Sequence, residues 1–533
     1  MQTKLHYIIS GIVCVLFSPF LFAQNFDWAY AAGGVGNDVG TSIATDANGN
    51  SYITGNISGG GYFGSNYVSG TVFEVFLAKY DANGNALWAK SYGGLKNEKA
   101  FSLALTNNAI YLCGYFEDTA TFGNTTLISK GETDVFVMKT DLNGNEIWTK
   151  QAGGINDDVA YGIAADAAEN VYLCGTYKSK INIGGTELTT TNPFNESFIL
   201  SFDKNSNLRW AKTSKGNNNN SAFGIAWNKN NAISVCGFFG QQFTFDSTQI
   251  SSQTSSYDAF VSSFDLDGNL QWLKQIGSAA EDQAMAVTCD QMGNSYITGY
   301  TGGSIKFGND TLAYSGWNDI FTAKVNTNGD FLWARQGGGS KLDLGTSIAL
   351  DNLNNVYVAG MFEKTATFSG KTINDADRGV ALVSYDSNGN IRFAQGAGDV
   401  QTDAALGVSV NAEKTYLTGY YLYKCKFGNY ALPYADFFNI FITAYDFPHL
   451  VSIQNFEQEK IQFYPNPAND VLYINSSENS TLTILNIQGK ILLEAAINNG
   501  LNQIDISNLE NGILILQFQN AARATSTFKL VMQ

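Results

Sequence analysis

The sequence predicts an all-β protein made of one repeated unit and a separate C-terminal module, and three observations support this. A short apolar strand ending in glycine recurs seven times, at intervals of 59 to 62 residues by subtraction. Such a fixed period indicates one supersecondary unit that buries its apolar face on the next. The last unit is incomplete, and from residue 461 onward the strand pattern changes. The strand-ending glycines are Gly55, Gly114, Gly175, Gly237, Gly299, Gly360 and Gly419.

The second unit shows how each repeat is built. Segments 102–105, 109–114, 134–140 and 146–150 alternate apolar and polar residues, with Asn-containing turns between them. Alternation at period two, joined by Asn-Gly turns, predicts antiparallel strands. Four antiparallel strands per repeat form one blade of a β-propeller. Seven units therefore predict a seven-bladed propeller.

An aromatic residue marks the fourth strand of each unit. The first of these residues precedes any first strand, and the seventh unit ends at residue 446 without a fourth strand. We therefore expect the segment 25–29 to supply that strand and close the ring, because pairing the two ends removes open sheet edges. The markers are Trp28, Trp88, Trp148, Trp210, Trp272, Trp333 and Phe393.

The repeat has a known counterpart. The run from Asp134 to Asn145, followed by Trp148 and Gly153-Gly154, resembles the bacterial β-propeller repeat family abbreviated SBBP. The similarity extends over residues 26–446 and implies the propeller fold. It implies no activity, because propellers host many functions.

The C-terminal segment reads as a small β-sandwich, because several short alternating strands follow one another. It closely resembles the C-terminal sorting domain of the type IX (Por) secretion system of Bacteroidetes. This resemblance implies recognition by the type IX secretion machinery, followed by release or attachment to the outer cell surface. A generic adhesive sandwich is the alternative. The residues that carry the resemblance are Tyr464, Pro465, Asn466, Pro467, Gly489, Gly512 and Lys529.

The N-terminus predicts export across the inner membrane. Lys4 precedes an apolar run from residue 7 to 22, which ends at Ala23. This is the pattern of a cleaved signal peptide, with a lipoprotein anchored through Cys14 as a minor alternative. The expected organisation is a signal peptide at 1–23, the propeller at 24–446, a linker at 447–460 and the sorting domain at 461–533. We expect the mature chain to be a monomer without a transmembrane segment.

Composition excludes several function classes. The net charge of −16 and the pI near 4.6 argue against nucleic acid and anionic membranes as partners. The two histidines, His6 and His449, lie outside the propeller, which leaves it without a Ser-His-Asp triad or a His-ligated zinc. The five cysteines outside the signal peptide are expected to be buried and unpaired.

Acidic residues recur just before the first strand of each unit, with Asn220 in the fourth unit. Two interpretations stay open. The ring could bind Ca²⁺ or a cationic ligand, since hard cations prefer several oxygens. Alternatively, each carboxylate accepts backbone N–H bonds from the neighbouring Gly-rich loop. No other cofactor is expected. The ring residues are Asp38, Glu98, Asp158, Asp282, Asp343 and Asp403.

Turns such as Asp141 to Asn145 imitate the start of a calcium loop but lack its distal Glu, so we interpret them as hairpin turns capped by Asp. Exposed aromatic residues are expected in the variable inserts between second and third strands, where loops on a rigid scaffold carry specificity. These are Tyr62, Phe63, Tyr177, Phe238, Phe239, Trp317, Tyr420, Tyr421 and Tyr423.

The favoured hypothesis is a secreted or surface-attached propeller without catalysis that binds a polysaccharide or a protein. The first alternative is an extracellular carbohydrate hydrolase or lyase that uses carboxylates near the central channel. The second is a purely structural surface component.

Overall fold

The structure is a computed structural model that describes residues 25–252, 254–307, 310–446, 461–477, 479–486, 490–520 and 525–532. The chain divides into two compact units, Met1–Phe447 and Pro448–Gln533. The predicted signal peptide and linker lie outside the described residues. All regular secondary structure in the described residues is β-strand. Within that part of the chain, no helix is long and apolar enough to cross a membrane.

The first unit contains strands that follow the sequence repeats. The leading strand is β1 (Asn25–Gly34). The first repeat contains β2 (Val39–Thr45), β3 (Ser51–Ser58), β4 (Gly61–Phe63), β5 (Asn66–Val68), β6 (Phe73–Tyr80) and β7 (Ala86–Gly94). The second contains β8 (Glu98–Leu105), β9 (Ile110–Phe122), β10 (Thr125–Thr140) and β11 (Glu146–Gly153). The third contains β12 (Val159–Ala165), β13 (Val171–Lys178), β14 (Lys180–Ile183), β15 (Thr186–Thr189), β16 (Asn195–Phe202) and β17 (Leu208–Thr213).

The later repeats follow the same plan. The fourth contains β18 (Lys215–Gly216), β19 (Asn220–Trp227), β20 (Ala232–Gly240), β21 (Gln242–Phe245), β22 (Thr248–Ser251), β23 (Tyr257–Asp265) and β24 (Leu270–Ile276). The fifth contains β25 (Asp282–Cys289), β26 (Ser295–Thr301), β27 (Ile305–Phe307), β28 (Asp310–Leu312), β29 (Asp319–Val325) and β30 (Phe331–Gly338). The sixth contains β31 (Leu344–Leu350), β32 (Val356–Phe368), β33 (Lys371–Tyr385) and β34 (Ile391–Ala397). The seventh contains β35 (Ala404–Val410), β36 (Lys414–Tyr423), β37 (Lys426–Phe427), β38 (Tyr430–Ala431) and β39 (Ala435–Asp446).

Within each repeat, four strands pair antiparallel in chain order, and we call each such group a set, numbered by its repeat. In the seventh set the fourth strand is β1, whose Trp28 pairs with Ala444 and whose Ala32 pairs with Ile440. First strands of consecutive sets contact one another, and β2 also contacts β35. The sets are β2-β3-β6-β7, β8-β9-β10-β11, β12-β13-β16-β17, β19-β20-β23-β24, β25-β26-β29-β30, β31-β32-β33-β34 and β35-β36-β39-β1.

The apolar core lies between sets rather than inside one. Second and third strands are buried along nearly their whole length, as in β3, β16 and β29. One cluster joins Tyr52 and Leu77 of the first set to Leu112 and Phe136 of the second. Because each sheet buries both faces on its neighbours, no set could bury its apolar residues alone.

Glycines at the ends of β1, β7, β11 and β30 let these fourth strands pair with the next set. Gly93 of β7 pairs with Thr121 of β9, and Gly33 of β1 pairs with Tyr62 of β4. A Cβ on Gly94 would lie 2.0 Å from the carbonyl oxygen of Thr119, so only glycine allows this approach.

The tryptophan of a fourth strand contacts the turn of the next set. The indole N–H of Trp28 donates to Ala82 O at 3.3 Å, and that of Trp210 donates to Leu266 O at 2.8 Å. The turn residue Gly268 has a φ of +83°, and a Cβ there would lie 2.8 Å from the Trp210 ring. The turns themselves are capped as the sequence predicts, since an Asp oxygen accepts two backbone N–H groups in each, as in the turn that begins at Asp141.

The second unit contains two antiparallel sheets, β40-β41-β44 and β43-β42-β45-β46. Leu472 and Ile474 from the first sheet share one core with Leu482 and Leu516 from the second. Two sheets around a common core form the expected sandwich arrangement. The strands are β40 (Ile461–Tyr464), β41 (Val471–Ser476), β42 (Ser480–Asn486), β43 (Ile491–Ile497), β44 (Gly500–Asp505), β45 (Gly512–Asn520) and β46 (Thr525–Met532).

Candidate functional site

The six ring carboxylates lie at the starts of the first strands, and each residue is 0% exposed. In five of them one oxygen accepts the N–H of the residue four positions earlier, in the loop that leaves the preceding fourth strand. A second N–H reaches the other oxygen of Asp38, Asp282 and Asp343, from Ser58, Gly302 and Glu363 respectively. Asp403 Oδ1 accepts the N–H of Leu422. The loop contacts are Gly34 to Asp38 at 2.6 Å, Gly94 to Glu98 at 3.0 Å, Gly154 to Asp158 at 2.6 Å, Ser278 to Asp282 at 2.6 Å and Gly339 to Asp343 at 2.7 Å.

Burial controls the protonation of this ring. Loss of solvent raises the pKa of Asp38 to about 6 and the pKa of Asp343 to about 7. It raises the pKa of Glu98, Asp158 and Asp403 to about 8. The backbone N–H bonds oppose this shift but are the smaller effect. Burial likewise raises the pKa of Asp282. The ring carboxyl groups therefore take up protons at a higher pH than exposed carboxyl groups do.

A second group of carboxyl residues, on the third strands, lies beside the ring. The glycine at the end of β30 shows how close the two rows come. A Cβ on Gly338 would lie 2.3 Å from Asp319 Oδ1 and 2.9 Å from Asp343 Oδ2. We call such a third-strand residue, together with the ring residue of the next set, a junction pair. Each pair joins two consecutive sets.

The described residues contain no group of three or more His, Cys, Asp or Glu side chains that could hold a metal ion. The five cysteines of this part of the chain are buried and free, as the sequence predicts. Burial raises the pKa of Cys289 to about 11 and raises those of the others as well.

A feature that sequence reasoning missed is a β-bulge in every first strand, three residues after the ring position. The bulge residue lies outside the pairing register and is half-buried. Bulges redirect side chains and often lie next to binding sites. In five of the seven repeats the sequence carries a large apolar or aromatic residue at this constant offset, and in the other two it carries Thr. The bulge residues are Thr41, Phe101, Tyr161, Phe223, Met285, Thr346 and Leu406.

Three neighbouring bulge residues form a continuous aromatic surface. The ring centroids of Phe101 and Tyr161 lie 5.1 Å apart, and those of Tyr161 and Phe223 also lie 5.1 Å apart. Phe238 and Tyr257 extend the contact, with centroid distances of 5.4 Å from Phe223 to Phe238 and 5.0 Å from Phe238 to Tyr257. We call these five residues the aromatic row. All five are half-buried, so each ring keeps an accessible part.

The expectation of exposed aromatic residues in the inserts is only partly correct. Tyr62 is 59% exposed and Trp317 is 66% exposed. For four others the expectation was wrong: Phe63 lies on the buried side of the insert strand β4, and the other three lie within the second strands β13, β20 and β36, which are buried between sets. Those four, each 0% exposed, are Phe63, Tyr177, Phe239 and Tyr421.

In the second unit, the predicted sorting motif holds the last strand. Asn466 Oδ1 accepts the N–H of Val531 at 2.9 Å, and the N–H of Ala468 donates to Val531 O at 2.8 Å. The Tyr464 ring stacks on that of Tyr473 at 5.6 Å. Pro465 and Pro467 lie between these contacts. Gly512 begins β45 with a φ of +144°.

Two residues of the motif, Gly489 and Lys529, lie wholly or partly outside the described part of the chain. The backbone of Lys529 pairs with Ile515, and its side chain lies outside the described residues. Gly489 lies outside them entirely.

Family comparisons agree with both resemblances. The secretion system C-terminal sorting domain matches residues 462–533. The β-propeller repeat SBBP matches residues 147–176 and 271–306, each from a fourth strand into the following set. The chain therefore contains β-propeller repeats and ends in a type IX C-terminal sorting domain. The predictions of both are confirmed.

Individual relatives cover parts of the chain. It is 26% identical over 275 residues to an uncharacterized WD repeat-containing protein of Acanthamoeba polyphaga mimivirus. The aligned region covers 44% of this chain and 20% of that protein. It is 36% identical over 74 residues to β-agarase D of Zobellia galactanivorans. This aligned region covers 14% of this chain and 15% of that protein. The chain thus spans a fifth or less of these relatives. The Neurospora crassa Pan2 WD40 domain is similar at a TM-score of 0.33 and 9% identity, covering 65% of this chain and 88% of that domain.

Proposed function

We propose that this protein is an exported, closed, seven-bladed propeller that binds a polysaccharide or protein ligand without catalysis, either at the cell surface or after release. The observation that carries the binding role is the aromatic row. Partly exposed aromatic rings in adjacent blades offer a large apolar contact at low conformational cost. The ring carboxyl groups are 0% exposed and are used by backbone N–H groups, which supports binding rather than acid–base catalysis.

The ring closure is supported by one hydrogen bond that repeats between sets. The N–H of Asp158 donates to Thr133 O at 2.9 Å, which joins the third set to the second. The N–H of Asp38 donates to Phe438 O at 2.7 Å, which joins the first set to the seventh. Because this contact has the same form as the others, seven blades in a closed ring are the arrangement that it favours.

Export through the type IX machinery is supported by the sorting domain. Deletion of residues 461–533 should leave the protein in the periplasm, because the outer-membrane step would lack its signal. The measurement is the distribution of protein between periplasm, cell surface and medium. Undiminished export of the shortened chain would refute this part of the proposal and leave the binding role standing.

Binding is tested by replacing members of the aromatic row. Tyr161→Ala combined with Phe223→Ala should weaken binding to a glycan array or to immobilised secreted proteins at least tenfold, since each loses a contact of about 1 kcal/mol or more. Tyr62→Ala is the matched control, because this ring is exposed but lies on an insert. Loss of binding in the control alone would place the ligand on the inserts. Turnover of a bound glycan would overturn the non-catalytic role.

A further inference from the structure

The junction pairs share one arrangement at all seven places where sets meet. In five pairs both members are carboxyl groups, and in two pairs one member is an amide. In the sixth set Asp375 takes the place of the third-strand residue, because Gly379 occupies that position. The seven pairs are Glu74–Glu98, Asp134–Asp158, Glu196–Asn220, Asp258–Asp282, Asp319–Asp343, Asp375–Asp403 and Asn439–Asp38.

The amide pair in the third and fourth sets shows what this geometry needs. Asn220 Nδ2 donates to Glu196 Oε2 at 2.9 Å. Asn220 Oδ1 accepts the N–H of Ser197 and the hydroxyl of Ser214, both at 2.7 Å. The amide therefore supplies a donor to the carboxylate beside it. Two ionised carboxylates in the same place would have no donor between them.

The Asp319–Asp343 pair lacks such a donor. Asp319 Oδ2 accepts the N–H and hydroxyl of Ser315, at 2.9 and 3.1 Å, and the amide of Gln336. Asp319 Oδ1 is buried without any partner, and it and Asp343 Oδ2 lie 2.3 and 2.9 Å from the Cβ position at Gly338. A buried unpaired charge is costly, and two like charges at one site are costlier. An orphaned oxygen also occurs at Glu98, Asp158, Asp258 and Asp403, one in each of the other two-carboxyl pairs, and at the amide oxygen of Asn439.

The charged groups around Asp343 do not supply a counter-ion. Glu363 faces it from β32 and is itself paired with Arg378 at 3.3 Å. Lys341 precedes it in the chain, and its ammonium group lies 5.2 Å from the centre of the Trp317 ring. Gln336 and Ser315, which contact the other member of the pair, are uncharged.

We propose that each two-carboxyl junction pair binds one proton, shared as a hydrogen bond between a carboxylic acid and a carboxylate, so that the contact between blades depends on pH. The protonated member becomes the donor that Asn220 provides in its own pair. The raised pKa values of the ring residues agree with this arrangement, since burial and the neighbouring carboxyl group act in the same direction.

The sign of the pH dependence follows directly. The Asp343 carboxyl has a pKa of 3.8 when unfolded and about 7 when folded. The folded state therefore holds the extra proton between these values, and its stability falls as the pH rises through that window. One proton changes the unfolding equilibrium constant by up to tenfold per pH unit.

Two opposite substitutions test the proposal in the full chain. Asp319→Asn would create an amide–carboxyl pair, with the new NH₂ in the place of the orphaned oxygen so that it donates as Asn220 does to Glu196. Asn220→Asp would create a sixth two-carboxyl pair. Urea unfolding is followed between pH 4.5 and 8.5 by the fluorescence of the eight tryptophans, all of which precede residue 448. In Asp319→Asn the unfolding equilibrium constant should change with pH less steeply than in the wild type, by up to tenfold per pH unit. In Asn220→Asp it should change more steeply by as much.

An unchanged pH dependence in Asp319→Asn would overturn the proposal. If Asn220→Asp folds only at low pH, that result supports it. Infrared difference spectra of the wild type, recorded as the pH rises from 5 to 9, should show loss of the protonated C=O band while the protein stays folded. Absence of that band would refute proton sharing. Stabilisation by Ca²⁺ at pH 8 that is abolished by Asp319→Asn would assign the pair to a cation instead, and would also overturn it.

Discussion

Trp28 gives the sharpest test of how the leading strand β1 is held on the seventh set. This residue is 5% exposed and lies 5.6 Å from Tyr30 and 6.2 Å from Tyr416, measured between ring centroids. Its backbone O also accepts the hydroxyl of Thr443 at 2.6 Å. Replacing a buried tryptophan by alanine costs about 3–5 kcal/mol. We therefore expect Trp28→Ala to reduce the free energy of unfolding by about 4 kcal/mol, a large share of the 5–15 kcal/mol typical of a protein.

Trp333→Ala is the matched control for this substitution. Trp333 is 6% exposed, and its indole donates to Ser387 O at 3.1 Å, much as Trp28 donates to Ala82 O. Both variants should lose a similar free energy of unfolding in urea. They should differ in proteolysis, because Trp333 lies within a continuous run of strands whereas Trp28 lies on the leading strand.

Limited proteolysis separates a general loss of packing from a specific release of the leading strand β1. Trp28→Ala should release the segment 25–34 to limited proteolysis under native conditions, whereas Trp333→Ala should not. A loss below about 1 kcal/mol in Trp28→Ala, where the control loses about 4 kcal/mol, would refute the role of β1 as the fourth strand of the last set. Identical cleavage patterns in the two variants would refute it as well.

Turn glycines, the sorting motif and the buried thiols each give a further test. Gly268→Ala should cost about 2 kcal/mol more than Gly184→Ala in urea unfolding, because a Cβ meets the Trp210 ring at the first and nothing within 4 Å at the second; equal losses would contradict the packing argument. Asn466→Ala should cost about 0.5–1.5 kcal/mol and lower the secreted fraction, since the N–H of Val531 loses its acceptor in an exposed hydrogen bond. A normal secreted fraction and stability would contradict this. The thiols of the described cysteines should react with a disulfide reagent at pH 8 only in urea, because burial raises their pKa; fast labelling of the native protein would contradict this.

Much of the architecture could be predicted from the sequence because local chemistry determines it. The turn that begins at Asp141 has the residues that a capped hairpin requires, and the structure contains that turn. The pairing of Trp28 with Ala444 follows from a missing strand at one end and a spare one at the other. In both cases the signal lies in neighbouring residues or in a simple count of strands.

Features that arise between sets were harder to predict. The bulge at Phe101 and Tyr161 depends on the register between two strands, and a single sequence does not state that register. Alternation along the short insert strands buries Phe63 while it exposes Tyr62, so composition alone could not separate the two residues. The proximity of Asp319 to Asp343 likewise appears only when one blade packs on the next.

One of the two amide-containing junction pairs lies between the seventh and first sets, and the other, Glu196–Asn220, lies between the third and fourth. Asn439 lies in β39, the strand that pairs with β1, and its partner Asp38 opens the first set. Since this pair has one ionisable member, a rise in pH places one charge there instead of two. The five two-carboxyl pairs join sets that follow one another in the chain, where covalent connection keeps the partners close. If proton sharing operates as proposed, Asn439→Asp should therefore weaken the protein at pH 8 and not at pH 5, and it should increase proteolysis of the segment 25–34 at the higher pH. Equal proteolysis at both pH values would contradict this prediction, because it would show that titration of this junction pair does not affect how the segment 25–34 is held.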